Sequence, residues 1–412
     1  MVGCKTKMAK KMKTIGLLEN TIQEYEWGSY TAICNLLGRK APSDVPQAEL
    51  WMGAHPRASS MVTYEGKVIS LQELISKYPE DILGKSIAEK FDNKLPYLFK
   101  VLAASKPLSI QAHPNLAQAR EGFKTENDLN IPKDAPNRNY KDNNHKPECI
   151  CALTTFWAMN GFRKIGDILS FMKKLCPNGL DKELHELENK HDTDGLKQFF
   201  KFLMTLDEKE KKQVLSETID NAQKFVKIDP VFEWITKLSK EYPKDIGILS
   251  PAMLNLICLE PGEALFLFSG ELHAYLDGLG IELMANSDNV LRGGLTPKHV
   301  DVPELLRVVN FEERDIKILE CKKNTATECI YTSMAEEFLL SLISVDSKKD
   351  YTSSTKRSAE ILLCTNGHAA ITDCEKKSTV SIQKGSSVIV PASARMYNIK
   401  GNAVIYKASV NS

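Results

Sequence analysis

Residues 262–273 are Gly-Glu-Ala-Leu-Phe-Leu-Phe-Ser-Gly-Glu-Leu-His, and residues 385–396 are Gly-Ser-Ser-Val-Ile-Val-Pro-Ala-Ser-Ala-Arg-Met. Both stretches begin with glycine, continue into a short apolar run and reach a turn of small residues, which is typical of a buried strand and a tight connection. The first stretch ends at His273 and the second at Met396. This internal repeat predicts two related β-barrels, of which only the first has a metal-binding side chain at this position.

Three patterns of apolar residues divide the rest of the chain. Residues 14–151 mix turns with short apolar runs, and residues 95–102 predict a buried strand. Residues 154–250 carry apolar side chains at helical spacing, for example Leu196, Phe199 and Phe200. Strand character returns after Pro251, where Asn366-Gly367 between two apolar runs predicts a β-hairpin. The chain is therefore expected to be mainly β, with a helical insert.

These patterns predict three units in the 412-residue chain. The first is a discontinuous β-barrel (jelly-roll) unit formed by residues 1–151 and 252–320. The second is the helical insert of residues 152–251, and the third is a metal-free β-barrel of residues 321–412.

The charge balance narrows the classes of partner. Lys and Arg total 54 against 53 for Asp and Glu, so the formal net charge is +1. A nucleic-acid-binding protein would show a basic excess, and a membrane span needs about 18 consecutive apolar residues, which the chain lacks. The exception to the balance is residues 1–17, which hold five lysines and no acid, and which we expect to be a frayed, solvated terminus.

The ten cysteines are scattered and form no C-x-x-C pair. Without a secretory signal before them, this distribution predicts reduced, mostly buried thiols in a cytoplasmic protein. Cys149 and Cys151 are expected to be core residues.

Three short segments carry polar side chains that share a strand face, because residues two apart on a strand point the same way. They are Ser109, Gln111 and His113; Lys146 and Glu148; and His273 and Tyr275. Two imidazoles, a carboxylate and an amide oxygen would then be available to a divalent metal, from His113, His273, Glu148 and Gln111. Such a set suits zinc, and also manganese, iron or cobalt. Taken singly, each is more commonly a satisfied polar group at a strand end, and spacing alone cannot bring the segments together.

Two further segments are dense in polar residues. One combines acids, bases and glycines between residues 282 and 298: Glu282, Asp288, Arg292, Gly293, Gly294, Thr296, Pro297 and Lys298. The other includes Glu49, Trp51, Gly53, His55, Pro56 and Arg57. The first segment indicates either a site loop or a glycine-rich turn with solvated charges.

Together these segments resemble the type I phosphomannose isomerases. The blocks follow the family's order and the resemblance spans residues 14–412, most strongly 20–150 and 255–310. The blocks are residues 25–29 (Tyr-Glu-Trp-Gly-Ser), 48–56 (Ala-Glu-Leu-Trp-Met-Gly-Ala-His-Pro), 95–102 (Leu-Pro-Tyr-Leu-Phe-Lys-Val-Leu), 108–115 (Leu-Ser-Ile-Gln-Ala-His-Pro-Asn), 144–148 (Asn-His-Lys-Pro-Glu), 270–275 (Gly-Glu-Leu-His-Ala-Tyr) and 282–298 (Glu-Leu-Met-Ala-Asn-Ser-Asp-Asn-Val-Leu-Arg-Gly-Gly-Leu-Thr-Pro-Lys).

The resemblance implies a zinc enzyme with a catalytic cupin domain, an inserted helical domain and a second, metal-free cupin-like barrel. It implies interconversion of mannose 6-phosphate and fructose 6-phosphate, which supplies GDP-mannose for glycosylation. One zinc ion per chain would be held by the matched residues Gln111, His113, Glu148 and His273. We expect a cytoplasmic monomer that acts on a small sugar phosphate, without nucleic-acid or membrane partners.

Aldose–ketose isomerisation moves a proton between C1 and C2 through a cis-enediol, which needs a base on one face of the substrate. The candidates near the metal are Lys146, Glu282, His145 and Asp288, and we favour Lys146 because it shares a face with Glu148. Arg292 is expected to hold the enediolate, and Asp288 to assist ring opening with His113 or His145. The remaining expected pocket residues are Lys298, Lys100 and Ser109 for the phosphate, and Tyr275, Trp27, Glu49 and His55 for the walls.

Two other classes compete with this interpretation. One is a different cupin enzyme, such as an iron oxygenase, which would more commonly have a His-x-His pair where this chain has Gln111-Ala112-His113. The other is a non-enzymatic sugar-phosphate sensor, which the loss of a ligand, of Lys146 or of Arg292 would favour. None of these residues is lost.

Overall fold

A computed structural model of the chain describes residues 15–411. The five lysines expected to form a frayed terminus, and Cys4, lie outside these residues. Before the helical segment the strands are β1 (Gly16–Glu19), β2 (Thr21–Gln23), β3 (Glu49–Met52), β4 (Ala54–His55), β5 (Ala58–Ser59), β6 (Met61–Tyr64), β7 (Lys67–Ser70), β8 (Tyr97–Ala104), β9 (Ile110–Ala112), β10 (Glu148–Ala152) and β11 (Phe156–Phe162). The helices of this part are α1 (Ala32–Leu36), α2 (Leu71–Lys77), α3 (Pro79–Leu83), α4 (Lys85–Lys90) and α5 (Leu116–Asp128).

The helical segment follows, and the chain then returns to strands. The helices are α6 (Ile165–Leu175), α7 (Asp181–Asn189), α8 (Thr193–Met204), α9 (Glu208–Phe225), α10 (Pro230–Glu241), a 3-10 turn (Ile246–Leu249) and α11 (Ser250–Met253). The later elements are β12 (Leu254–Leu259), β13 (Ala264–Leu267), β14 (His273–Ala285), β15 (Leu291–Gly294), α12 (Val302–Val308), β16 (Lys322–Lys323), β17 (Glu328–Tyr331), β18 (Leu339–Val345), β19 (Tyr351–Thr352), β20 (Glu360–Asp373), β21 (Thr379–Gln383), β22 (Ser387–Val390) and β23 (Tyr397–Ser409).

Strand β14 organises the first large sheet. Its thirteen residues pair antiparallel with β8, β9, β10 and β11, and the sheet runs in the order β12-β11-β14-β8-β3-β2. The strand expected over residues 95–102 is confirmed as β8, which is buried throughout. Because β14 touches so many neighbours, it can bring side chains from distant parts of the chain onto one surface.

The second large sheet belongs mostly to the C-terminal part, in the order β16-β17-β18-β23-β20-β22-β1-β6-β7. Strand β1 pairs with β22 on one side and with β6 on the other, so Gly16 lies opposite Ile389 and Leu18 opposite Val62. The N-terminal strand therefore extends the C-terminal sheet, and the assignment of residues 1–151 to the first unit stays a prediction. Within the described residues, the hydrogen bonds of neither sheet close into a complete barrel, so the expected barrels are open antiparallel sheets.

The internal repeat is confirmed by matching strands. Four-residue β13 and β22 occupy the same places in the two aligned stretches, and each leads into a thirteen-residue strand, β14 or β23. Glu148 lies opposite Leu267 in the first unit, and Glu360 lies opposite Val390 at the corresponding place in the second. Two related β units, with a carboxylate at the same register position, therefore build the two sheets.

The hairpin expected at Asn366-Gly367 is wrong, because β20 continues through both residues. The register shifts between Cys364 and Asn366, which marks a β-bulge. Gly367 has a φ of 75°, and a Cβ there would lie 2.0 Å from the carbonyl oxygen of Asn402. Close approach of two strands, rather than a reversal of the chain, explains this glycine.

The helical segment begins at α6, so the unit expected from residue 152 includes a strand of the first sheet. This strand is β11, which pairs with β12 and β14. The helices are attached through an aromatic cluster in which Phe162 of β11 stacks on Phe311 with ring centroids 5.4 Å apart. Phe200 of α8 contacts both rings edge-on. This cluster ties the insert to the sheet.

The expectation that all cysteines are reduced is wrong for one pair, because Cys321 and Cys329 form a disulfide between neighbouring strand segments. Cys149 and Cys151 are buried, as expected for core residues. Among the described residues, no helix is both long enough and apolar enough to cross a membrane.

We predict that Phe162→Ala lowers the free energy of unfolding by about 3–5 kcal/mol, because it removes a fully buried ring and leaves a cavity at the junction of insert and sheet. Urea denaturation measures the change. Ile228→Ala is the control, because its side chain is 71% exposed and its loss should shift stability by no more than about 0.5 kcal/mol. Equal stability of the two variants would contradict this account of the junction.

Candidate metal centre and active site

The predicted ligands come together around Glu148 because β9, β10 and β14 lie side by side in the first sheet. Gln111 of β9 lies opposite His273 of β14 on one side and opposite Arg292 of β15 on the other. Residues directly opposite on neighbouring antiparallel strands point to the same face. The sheet therefore aligns an amide, an imidazole and a guanidinium in one row.

The carboxylate of Glu148 lies between two imidazoles. Nε2 of His113 is 3.4 Å from Glu148 Oε1, and Nε2 of His273 is 3.4 Å from Glu148 Oε2. The three side chains are buried, and their ligand atoms all lie within 4.8 Å of one another. Zinc bonds of about 2.0–2.2 Å at tetrahedral angles would put neighbouring ligand atoms about 3.4 Å apart, so the spacing fits such an ion.

Hydrogen bonds prepare both imidazoles to act as ligands. Nδ1 of His113 donates to the carbonyl oxygen of Asn289 at 2.7 Å, and Nδ1 of His273 donates to that of Glu271 at 2.9 Å. Nε2 of each ring then carries the lone pair, and Nε2 of His113 has no hydrogen-bond partner among the described residues. Burial, together with the Lys146 ammonium, lowers the pKa of His113 to about 4, so the ring is neutral at pH 7. This arrangement is typical of metal-binding histidines.

Lys146 lies beside this cluster, as expected. Its Nζ is 3.0 Å from Glu148 Oε1, although Lys146 precedes β10 rather than belonging to it. Burial alone would raise the pKa of Glu148, but Lys146 and His113 hold it well below its usual range. Gln111 completes the set, and its Nε2 donates to Ser109 Oγ at 3.2 Å, which leaves the amide oxygen available.

A second charged group lies on the neighbouring strands β3, β8 and β14. Lys100 lies opposite Glu282, and its Nζ is 2.9 Å from Glu282 Oε2 and 3.4 Å from Glu49 Oε1. Burial lowers the pKa of Lys100, but the two carboxylates outweigh burial and raise it above its usual range. Burial raises the pKa of Glu282, with Glu148 and Glu49 adding to the shift and Lys100 opposing it. Trp51 Nε1 donates to Glu49 Oε2 at 2.8 Å and fixes that carboxylate.

Asp288 meets His55 and Arg57 rather than His113 or His145. His55 Nε2 lies 3.5 Å from Asp288 Oδ2, and Arg57 Nη1 lies 3.5 Å from Oδ1. Nδ1 of His55 accepts the backbone N–H of Arg57, which leaves Nε2 as the proton carrier facing Asp288. Burial lowers the pKa of His55, and Asp288 partly opposes that effect.

The phosphate candidates differ in their surroundings. Within the described residues, neither Arg292 nor Lys298 forms an ion pair with a carboxylate. Burial lowers the pKa of Arg292, and burial together with Arg292, Lys141 and Arg57 lowers that of Lys298. Within the described residues, Arg292 and Lys298 therefore lack a neutralising carboxylate, whereas Arg57 pairs with Asp288 and Lys100 is neutralised by two acids.

The other expected residues occupy two different places. Tyr275 is buried, and burial with the nearby carboxylates of Glu282 and Glu148 raises its pKa well above the usual range. Trp27 packs on the apolar cluster that contains Tyr275. His145 is outside the three-residue metal cluster, and its Nε2 lies 2.6 Å from Glu337 Oε1 of the C-terminal part.

Sequence reasoning missed the residues that hold the ligands. Asn289 is fully buried, and its Nδ2 donates to the carbonyl oxygens of Asp142 and Asn144 at 2.8 Å each. Its Oδ1 accepts the backbone N–H of Lys141 at 2.7 Å. The side chain thereby fixes the same residue whose carbonyl oxygen orients His113. Asn289 lies in a motif block, whereas nothing in the sequence marks Asp142.

Glu271 fixes the backbone that orients His273. Its carboxylate accepts from the backbone N–H of Phe268 and from Asn160 Nδ2, both at 3.1 Å. Arg314 Nε lies 2.8 Å from Glu271 Oε1. These contacts hold the turn whose carbonyl oxygen orients the His273 ring.

Comparison with known proteins agrees with this geometry. Family models match at residues 15–165 (phosphomannose isomerase type I, catalytic domain), 180–254 (phosphomannose isomerase type I, helical insertion domain) and 327–409 (mannose-6-phosphate isomerase, cupin domain). The chain is 40% identical to the mannose-6-phosphate isomerase of Escherichia coli, over 93% of this chain and 97% of that protein. It is 32% identical to the human mannose-6-phosphate isomerase, over 91% and 93%.

Solved structures show the same likeness. A crystal structure of mannose 6-phosphate isomerase bound with zinc and yttrium has a TM-score of 0.89 and 38% identity, covering 97% of this chain and all of that one. A variant of the phosphomannose isomerase from Salmonella typhimurium has a TM-score of 0.90 and 37% identity, with the same coverage. The chain belongs to the type I phosphomannose isomerase family.

Proposed function

We propose that this protein interconverts mannose 6-phosphate and fructose 6-phosphate, with one zinc ion held by Gln111, His113, Glu148 and His273. The observation that carries the proposal is a buried carboxylate with a preoriented imidazole Nε2 3.4 Å from each of its oxygens. A relative named mannose-6-phosphate isomerase matches over 93% of the chain. A bound zinc ion would act as a Lewis acid that stabilises negative charge developing on the substrate oxygens.

Lys146, in its neutral amine form, is our candidate for the base that carries the proton between C1 and C2. Its Nζ lies 3.0 Å from Glu148 Oε1, so it borders the space that a substrate bound beside that carboxylate would occupy. The cis-enediol formed when the proton leaves C2 needs the same group to return it to C1. Glu282 is our candidate for exchanging a proton with a substrate oxygen, because burial raises its pKa even though the contact with Lys100 opposes that shift.

The unpaired cations support binding of a dianion. Lys298 is our candidate for the 6-phosphate, with Ser109 as a hydroxyl partner, and Arg292 for the enediolate oxygen because it lies opposite Gln111 in the row of ligands. Lys100 is better suited to orienting Glu282 and Glu49 than to binding phosphate, because both carboxylates already contact it.

Ring opening needs a proton donor and acceptor at the ring and C1 oxygens. We assign it to Asp288 with His55, because the imidazole Nε2 faces the carboxylate and can relay a proton through it. Trp27, Glu49 and Tyr275 complete the proposal as residues that shape the pocket. Supply of GDP-mannose for glycosylation, a cytoplasmic location and a monomeric state also belong to the proposal, and they rest on the family resemblance.

We predict that removing the metal with a chelator lowers the rate of fructose 6-phosphate formation by at least about 100-fold, because stabilisation of the developing oxyanion is lost. Readdition of zinc should restore the rate. Circular dichroism before and after chelation is the control for intact fold. A metal-free protein that keeps its full rate would contradict the role of the metal.

We predict that Lys146→Met lowers kcat by about 10²–10⁴-fold, as expected for the loss of a general base. Lys85→Met is the matched control, because its side chain is 74% exposed on α4. Stopped assays with mannose 6-phosphate measure both variants beside Glu282→Gln. A near-normal kcat for Lys146→Met together with an inactive Glu282→Gln would transfer the base to Glu282.

We predict that Asn289→Ala weakens zinc binding by about 10–100-fold, because the carbonyl oxygen that orients His113 loses its support. Competition with a chromophoric chelator measures the dissociation constant directly. Asn189→Ala, at the exposed end of α7, is the control. Unchanged zinc affinity in Asn289→Ala would show that His113 is oriented without this residue.

A further inference from the structure

We propose that Glu337 of the C-terminal part is a positioning residue for the isomerase reaction, acting through His145 on Lys146. This inference rests on the proposed function, and it gives the C-terminal part a role in catalysis. The geometry that carries it is a direct contact between the two parts of the chain, next to the candidate base.

The contact is short and shielded from solvent. His145 Nε2 lies 2.6 Å from Glu337 Oε1, and the side chains are 26% and 11% exposed. The other carboxylate oxygen, Oε2, is buried and has no hydrogen-bond partner among the described residues. A buried carboxylate is costly unless it is paired, so the imidazole is the group that stabilises this charge. Burial alone would raise the pKa of Glu337, but the hydrogen bond and charge of His145 lower it.

Glu337 is held in place by its own neighbours. Phe338 is fully buried in a core shared with the first sheet, with its ring centroid 6.2 Å from that of Phe266. Glu336 pairs with Lys90 of α4 at 2.9 Å. Asn411 Nδ2 donates to the carbonyl oxygen of Ala335 at 3.0 Å. The carboxylate is therefore a fixed point on the C-terminal part rather than a mobile surface charge.

The segment that His145 anchors has no regular secondary structure of its own. Asn144 Oδ1 accepts the backbone N–H of His145, and the carbonyl oxygen of Pro147 accepts that of Ala285 at 3.0 Å. Lys146 lies between these two attachments, with its Nζ 3.0 Å from Glu148. On the N-terminal side of Lys146, Asn289 Nδ2 and Ser287 Oγ bond the backbone carbonyl of Asn144. The His145–Glu337 contact adds a tether at the residue directly before Lys146, and it is the one that comes from the C-terminal part.

The same contact borders a cavity next to the site. The cavity has a volume of about 1010 Å³, and His145 and Glu337 line it together with His55, Arg57 and Asp288. The tether thus also forms part of the boundary between the C-terminal part and the groups assigned to ring opening.

The test replaces Glu337 by Ala. A misplaced base slows the chemical step but leaves substrate binding intact. We therefore expect kcat to fall about 10-fold while KM for mannose 6-phosphate and zinc content stay unchanged. Glu337→Gln keeps an acceptor oxygen and should recover most of the lost kcat. Glu336→Ala is the matched control, because its side chain is 73% exposed and it contacts Lys90 rather than His145.

A double variant shows whether Glu337 acts through Lys146. Glu337→Ala in a Lys146→Met background should cause no further fall in kcat, because the group that it positions is already absent. An unchanged kcat in Glu337→Ala, or a fall that is fully additive with Lys146→Met, would overturn the inference. If Glu337→Ala fails to fold, His145→Gln tests the same contact from the other side. An inactive wild-type protein would instead remove the proposed function itself.

Discussion

The rest of the site depends on the buried carboxylate of Glu148. A carboxylate that is only 3% exposed is unfavourable unless positive charge or hydrogen-bond donors surround it. Lys146 supplies one positive charge, and each imidazole presents the lone pair of Nε2 towards a cation, because its Nδ1–H is donated to a carbonyl oxygen. The buried charge of Glu148 therefore favours binding of a metal cation. The carbonyl oxygens of Asn289 and Glu271 orient His113 and His273 so that Nε2 of each ring faces that cation.

The two related β units neutralise a buried carboxylate in different ways. In the second unit, Glu360 has the register position that Glu148 has in the first. Its oxygens lie 3.1 Å from Arg357 and 3.7 Å from Lys407, so cations of the chain itself neutralise it. The position of His273 is filled by Met396 in the repeat. The first unit thus leaves room for a metal beside its carboxylate, whereas the second unit neutralises its carboxylate with its own side chains. The second unit contributes to the site through the contact between Glu337 and His145.

Much of the site could be predicted from the sequence because its motifs are local. Alternation on short strands placed Gln111 with Ser109, and the family blocks linked His113, Glu148 and His273 across the chain. The supports could not be predicted, because Asp142 and Glu337 reach their partners only through tertiary contacts. The hairpin predicted at Asn366-Gly367 is wrong for the same reason, because the close approach of Asn402 is a tertiary contact. A glycine required by that approach looks, in the sequence, like the glycine of a turn. Strand β1 joins the C-terminal sheet through pairing that spans nearly the whole chain, which no short pattern indicates.

The proposed function depends above all on zinc binding at Glu148 between two imidazoles, with no sulfur ligand. X-ray absorption at the zinc edge of the purified protein tests it most directly, because it distinguishes sulfur at about 2.3 Å from nitrogen and oxygen at about 2.0–2.2 Å. We predict one zinc per chain with only nitrogen and oxygen neighbours and the outer-shell scattering of two imidazoles, and loss of that signal in Glu148→Ala. A zinc–sulfur distance, or an unchanged spectrum in Glu148→Ala, would contradict the account.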